Sequence, residues 1–342
     1  MSSESTLPRI ALTLGDIAGI GPEVVARAIS DPRLLKWCRP IVFGHPEILR
    51  QALRQTHSPA QIQVVSAFTE PVSDAQAIPV FNPSNDAVLD VPLSQLDARA
   101  GKAAYEYLVA AARAALRREI EAITTAPLNK AALHLAGLQY PGHTEILAEE
   151  CGVTDFGMML YLPPGDRIKS PQGLGVVHVT LHTSIRSVPD LISTAAVREK
   201  IGLIDGYMRR IGCVKPRLAV CALNPHAGED GIFGDEESRL IAPAVRQAST
   251  AGINVQGPLP ADTLMKRAVA GEFDAVVAMY HDQGHIALKL IGFDTAVNVT
   301  LGLPIVRTSP SHGTAFDIAG QNQADATGFL EAVRIASLLA IT

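Results

Sequence analysis

The 342-residue chain is 47% hydrophobic, 18% charged and only 5% aromatic, with a formal net charge of −5. Its length argues for two domains or lobes, and its acidity gives no electrostatic reason to expect nucleic acid or an anionic membrane as partner. No apolar run reaches the roughly 18 residues of a membrane span, and Met1–Pro8 lack the apolar core of a signal peptide, so a cytoplasmic location is expected. The cysteines at 38, 151, 213 and 221 form no CxxC pair, which argues against a zinc knuckle or a redox motif and for free thiols.

In chain order, Arg9–Leu14 reads as a strand, followed by the turn Gly15-Asp-Ile-Ala-Gly-Ile-Gly21 and a helix that starts near Pro22 and runs to about Ile29. Pro40–Phe43 is a second strand and Pro46–Gln55 a helix. Residues 57–95, rich in Pro and Ser, read as irregular strands and loops. Ala98–Glu119 carries apolar residues at helical spacing, Ala122–Thr125 is a strand, and Lys130–Ala136 and Thr144–Cys151 are short helices. Pro163–Pro171 reads as an exposed loop. Helices are expected over Ala195–Ile211, Glu236–Ala251, Thr263–Ala270 and Gly328–Ala340. Strands alternating with helices, with Ala, Val, Leu and Ile at the apolar positions, predict an α/β fold with parallel strands covered by helices.

Three apolar, β-like runs each end near a histidine: Leu174–Leu181 before His182, Leu218–Leu223 before His226, and Ala275–Tyr280 before His281. In a parallel sheet the residues just past three strand ends gather on one edge, where open α/β sheets bind ligands. Three neutral imidazoles there suffice to hold a divalent metal with a position left for substrate, although any one of them alone reads as a structural histidine. Period two places His178, Thr180 and His182 on one strand face, with His182 the better-placed ligand. Lys289, Asn298 and Arg307 follow as polar and cationic candidates, Arg suiting bidentate recognition of phosphate or carboxylate. The glycine turn lacks the GxGxxG and P-loop spacings; it is either an anion cradle or simply a tight βα turn.

These stretches together resemble the 4-hydroxythreonine-4-phosphate dehydrogenase family of vitamin B6 biosynthesis. The matching motifs are Gly15–Glu23, Thr125-Ala-Pro-Leu-Asn-Lys130, Tyr140-Pro-Gly-His-Thr-Glu145, Asn224-Pro-His-Ala-Gly-Glu229, Gly257–Thr263, Tyr280-His-Asp-Gln-Gly284, Arg307-Thr-Ser and His312-Gly-Thr-Ala. The Gly-Ile-Gly-Pro-Glu23 turn and His312–Gly320 are also similar to the isocitrate and isopropylmalate dehydrogenase superfamily. The resemblance implies a two-lobed α/β/α subunit with its active site in the interlobe cleft. A dinucleotide-side lobe would comprise residues 1–128 with 298–342, and a metal, substrate and dimerisation lobe residues 129–297. It implies His182, His226 and His281 as ligands of one divalent metal, with zinc expected ahead of cobalt, manganese, nickel or magnesium. It implies His143, Thr144, Lys289, Asn298 and Arg307 as substrate contacts, and His312, Gly313, Thr314 and Asp317 as contacts to NAD or NADP. It also implies a homodimer with shared active sites.

The reaction so implied is NAD(P)-dependent oxidation of 4-hydroxythreonine 4-phosphate at C3, followed by decarboxylation to 3-amino-2-oxopropyl phosphate. Asp282, next to His281, is the candidate acceptor of the hydroxyl proton. Ile17 stands where the family usually has Pro, and His285 and Lys289-Leu-Ile-Gly-Phe293 look more like a sister branch that oxidises threonate or erythronate 4-phosphates. A non-catalytic binder of phosphorylated acids and a metal-dependent phosphate-ester hydrolase are the other readings; the His312–Gly320 stretch speaks against the hydrolase, which has no use for a dinucleotide.

Overall fold

The computed structural model describes residues 7–67 and 77–341 as an α/β chain. The polar residues 1–6 and part of the Pro/Ser-rich stretch, 68–76, lie outside the described residues. The strands are β1 (Arg9–Thr13), β2 (Arg39–Phe43), β3 (Ile62–Val64), β4 (Ile78–Phe81), β5 (Ala122–Thr125), β6 (Gly157–Leu162), β7 (Leu174–His178), β8 (Leu218–Cys221), β9 (Val255–Leu259), β10 (Ala275–Ala278), β11 (Val297–Leu301) and β12 (Val306–Pro310). The helices are α1 (Gly21–Ile29), α2 (Leu34–Trp37), α3 (Pro46–Gln55), α4 (Ala98–Leu116), α5 (Lys130–Leu135), α6 (His143–Cys151), α7 (Val188–Leu191), α8 (Thr194–Arg210), α9 (Ala242–Thr250), α10 (Ala261–Val269), α11 (His281–Gly292) and α12 (Thr327–Ile341). Among the described residues no helix is long and apolar enough to cross a membrane.

Two compact units form: Met1–Thr154 with Leu303–Thr342, and Asp155–Gly302. These boundaries differ from the division at 128/129 and 297/298. Helices α5 and α6 pack on the Ala-rich face of α4, so residues 129–154 belong with the first unit. Residues 298–302 stay with the second because β11 pairs with β6.

In the first unit the strands lie in the order β3-β4-β2-β1-β5-β12, all parallel. Burial is nearly complete along β1, β5 and β12, as expected for parallel strands covered on both faces. Helix caps are local: His45 Nδ1 accepts from Glu47 N–H at the start of α3, and the Asp97 carboxylate accepts from Arg99 N–H at the start of α4. The glycine turn after β1 is a tight turn in which four of the amides are taken within the protein. Asp16 N–H donates to Pro127 O, Ala18 N–H to the Asp16 carboxylate, Gly19 N–H to Asp16 O and Ile20 N–H to Thr314 O.

The second unit orders its strands β11-β6-β7-β10-β8-β9. The expectation of a uniformly parallel sheet fails at β6, a strand the sequence reading did not place. It runs antiparallel to both β7 and β11. The three strands that precede the histidines are contiguous and parallel, with β10 between β7 and β8. Their C-terminal ends therefore share one sheet edge. A core of Leu160, Leu174, Val176, Val276, Leu264 and Leu288 with their neighbours fixes this arrangement. At the opposite end of β10, buried Asp274 accepts two bonds from the Arg217 guanidinium and one from Ser170 Oγ, pinning the strand's start.

Candidate active site

At the edge formed by β7, β10 and β8, the predicted strand to Leu181 stops at His178. Beyond it the chain follows the end of β10 but bends. Val179 N–H donates to Ala278 O, Thr180 N–H to Met279 O, and Thr180 Oγ1 to the same Met279 carbonyl at 2.9 Å. The alternation that would have put His178 and His182 on one strand face is lost there. His178 turns into the core, fully buried, while His182 lies in the irregular segment after it. His281 opens α11, and its ring centroid lies 5.7 Å from that of His182. Its Nδ1 faces Asp282 Oδ1 at 2.6 Å, a carboxylate–imidazole contact that orients the ring and sets its tautomer. These two histidines and Asp282 line a cleft of about 450 Å³ together with Leu181, Ser184 and Tyr280.

His226 occupies a different environment. It starts a run of five residues, His226–Asp230, with φ between 43° and 83°, of which only Gly228 is a glycine. Left-handed backbone at the four others is strained and needs its surroundings to impose it. The imposing group is Glu237, buried at the start of a one-turn π-type segment (Glu237–Ile241) where an uninterrupted helix was expected. Its carboxylate accepts from Leu223 N–H at 2.8 Å, Asn224 N–H at 2.7 Å and Asn224 Nδ2 at 3.0 Å. A Cβ on Gly228 would come within 2.9 Å of the same carboxylate. The His226 ring is exposed, 3.5 Å from Glu229 and near Phe233.

Among the described residues no group of three or more His, Cys, Asp or Glu side chains stands ready to hold a metal. Within one chain, His182 and His281 come together and His226 does not join them. The donor chemistry of the pair suits a divalent metal, being two imidazoles of which one has its tautomer set by a carboxylate. Two further histidines stand behind them. His285 stacks on His281 with centroids 3.7 Å apart, and His178 Nε2 lies 3.1 Å from His285 Nδ1. Burial, reinforced by the neighbouring histidines, holds both neutral, with pKa values lowered to about 4 for His178 and about 3 for His285. The i, i+4 spacing of His281 and His285 was a readable signal for this stack; the His178 contact crosses 107 positions and was not.

The remaining predicted residues fall in both units. In the second, Lys289 lies 5.5 Å above the Phe293 ring, and Asn298 on β11 has a buried Oδ1 without a hydrogen-bond partner. In the first, Arg307 on β12 is buried and its Nη2 donates to Thr125 Oγ1 at 2.7 Å. Burial lowers the Arg307 pKa to about 10, which still leaves it cationic at neutral pH. His143 at the start of α6 has its Nε2 3.2 Å from Ala126 O. Burial first, then the charges of Arg307 and Lys130, push its pKa well below the ordinary range, so it is neutral. Thr144 sits half-buried in the same first turn. His312, Gly313, Thr314 and Asp317 lie in the irregular segment after β12. Thr314 O takes the Ile20 amide, and His312 Nε2 is buried without a partner.

Comparison with known proteins places the chain among the dehydrogenases, making it an oxidoreductase that calls for a nicotinamide cofactor. A family model described as "Pyridoxal phosphate biosynthetic protein PdxA" matches residues 36–336, and the chain belongs to that family. The D-threonate 4-phosphate dehydrogenase of Salmonella typhimurium is 44% identical over 97% of this chain and 98% of its own. The 4-hydroxythreonine-4-phosphate dehydrogenase of Trichlorobacter lovleyi is 43% identical over 98% of each. The crystal structure of the 4-hydroxythreonine-4-phosphate dehydrogenase from Klebsiella pneumoniae superposes with a TM-score of 0.85, at 40% identity, over 97% of this chain and 99% of that one.

Proposed function

We propose that the protein oxidises the C3 hydroxyl of a four-carbon, 4-phosphorylated hydroxy acid to a ketone, with NAD or NADP as acceptor and a divalent metal, zinc first, as partner. The new ketone stands β to the carboxylate, which then leaves as CO2. The observation that carries this reading is the His182–His281 pair at the ends of adjacent parallel strands, backed by Asp282 and opening on a cleft. When bound, the dinucleotide supplies a hydride acceptor and the metal a Lewis acid at the hydroxyl. Residues His182 and His281 would hold the metal, with His226 as third donor supplied from a second copy of the chain in a homodimer. Asp282 already faces His281 Nδ1, so we assign it the orientation of that imidazole and not the hydroxyl proton.

Arg307, held by Thr125, would carry the phosphate charge, with His143 and Thr144 beside it; Lys289 and the unpartnered Asn298 Oδ1 would meet the polar groups of the acid. His312, Gly313, Thr314 and Asp317 remain the proposed dinucleotide contacts.

Among the residues lining the cleft the one carboxylate is Asp282, engaged by His281; the rest offer imidazole, hydroxyl and apolar groups. That lining suits a 2-hydroxyl better than a 2-ammonium, which would lack a counter-charge. We therefore place D-threonate 4-phosphate ahead of 4-hydroxythreonine 4-phosphate. The test is kcat/KM for the two compounds, followed at 340 nm with either dinucleotide. D-threonate 4-phosphate should lead by about a hundredfold, the order of discrimination that one mismatched polar group produces. A lead for 4-hydroxythreonine 4-phosphate would reverse the substrate assignment, and no turnover of either would reject the reading.

A further inference from the structure

The contacts behind His281 fix more than burial. Two main-chain carbonyls, which only accept hydrogen bonds, bracket the buried His178–His285 pair. His285 Nδ1 lies 3.2 Å from His281 O, and His178 Nδ1 lies 3.4 Å from Met158 O. A ring nitrogen facing a carbonyl is bonded only if it carries the proton. His285 Nδ1 therefore donates, shared between His281 O and His178 Nε2, which is 3.1 Å away. His178 Nε2 must then be the acceptor, and its proton sits on Nδ1, directed at Met158 O. The two assignments agree without any further choice, and a second proton on His178 would set N–H against N–H.

We propose that His178 and His285 are positioning residues for the His281 imidazole, a pair locked as two Nδ1–H tautomers whose task is to hold one ring plane. The His285 ring is parallel to the His281 ring to within 10°, stacked at 3.7 Å between centroids, so the rotation of His281 about its side chain is limited from one face. Asp282 Oδ1 limits it in the ring plane through Nδ1. His178 in turn blocks His285 from swinging out of the stack. Gly284 completes the device: a Cβ there would lie 2.5 Å from His178 Nε2 and 2.7 Å from Val176 Cγ1, so only glycine lets the two rings meet. This accounts physically for the glycine of His281-Asp-Gln-Gly284, whose Gln283 separately ties the end of β8 to α11 by donating to Ala222 O and accepting from Met279 N–H. Neither His178 nor His285 touches the reacting atoms in this assignment.

The inference rests on the metal reading above for its purpose but not for its geometry, and two measurements separate the two. In histidine-15N-labelled metal-free protein at pH 7.5, long-range 1H–15N spectra should show His178 and His285 as Nδ1–H tautomers, assigned by His178→Gln and His285→Gln. Either ring found as the Nε2–H tautomer, or in exchange between the two, would overturn the proposal whether or not the protein binds metal. Zinc affinity is then measured by competition with a chromophoric chelator on wild type, His285→Leu and Gly284→Ala. Both variants keep His182, His226, His281 and Asp282. Each should bind zinc about tenfold or more weakly, on the scale of lost outer-shell support. His285→Phe, which keeps a stacking ring without the N–H, should recover part of that loss. Wild-type affinity in folded Gly284→Ala and His285→Leu would refute the positioning role. No zinc binding by wild type would reject the metal reading, with the tautomers still deciding the geometry.

Discussion

Replacing Glu237 with Ala is the sharpest test of how His226 is held. The carboxylate accepts three N–H groups around Leu223 and Asn224, at 2.7–3.0 Å, in a buried position. At about 1.5–3 kcal/mol for each bond to a charged acceptor, their loss from a rigid turn would cost about 5–9 kcal/mol. The four non-glycine residues of the left-handed run, His226, Ala227, Glu229 and Asp230, store strain at about 1–2 kcal/mol each, or about 4–8 kcal/mol together. The two magnitudes nearly cancel. Once the carboxylate is gone, the turn therefore relaxes to ordinary backbone instead of persisting at full cost, and net stability falls by only about 2 kcal/mol. At about 2–4 °C per kcal/mol for a chain of this size, the melting temperature should drop by less than about 8 °C. Activity should fall at least about a hundredfold, the usual consequence of misplacing a site residue by about an ångström, with KM for the dinucleotide unchanged. Glu237→Gln keeps an acceptor oxygen and should lose less. Thermal denaturation and initial rates at 340 nm on the same preparations decide the matter. A melting temperature lowered by 15 °C or so with full specific activity would show that Glu237 serves the core alone, and that the left-handed turn has another cause.

Two further outcomes follow. Asp16 is almost fully buried, and burial raises its pKa from 3.8 to about 6, the Ala18 N–H only partly offsetting this. The folded state thus holds its proton more tightly than the unfolded chain. The associated stability is full below about pH 4, declines as pH rises through about 6, and amounts to about 3 kcal/mol. Asp16→Asn, which keeps the acceptor oxygen and cannot ionise, should melt several degrees above wild type at pH 8 and level with it at pH 4; equal melting temperatures at both would refute the buried-charge account. Mixing inactive His226→Ala with inactive His281→Ala under conditions of subunit exchange should restore about a quarter of wild-type activity, since half the dimers would be mixed and half their sites intact. No recovery after demonstrated exchange would show that each chain builds its own site.

Much of this architecture was legible in the residues. The alternation of apolar runs with helical spacing predicts α/β; the helix expected over Pro46–Gln55 coincides with α3, and the one expected from Ala98 begins where α4 does. The motif set also suffices to recognise the family, because its short segments keep their order along the chain. Three strands ending near three histidines were visible for the same reason: each strand is a local pattern.

What only the tertiary structure decided depends on contacts between distant positions. Reversal of β6 is set by its pairing with β7 and β11, and nothing in Gly157–Leu162 encodes direction. The strand before His182 ends at His178 because the end of β10 captures Thr180. His226 turns left-handed because a carboxylate eleven residues on collects the amides that precede it. His178 and His285 meet across 107 positions through the space that a glycine leaves. Propensity and periodicity act within a few residues of chain, whereas hydrogen-bond partners, tautomers and strain are settled by whatever the fold brings alongside.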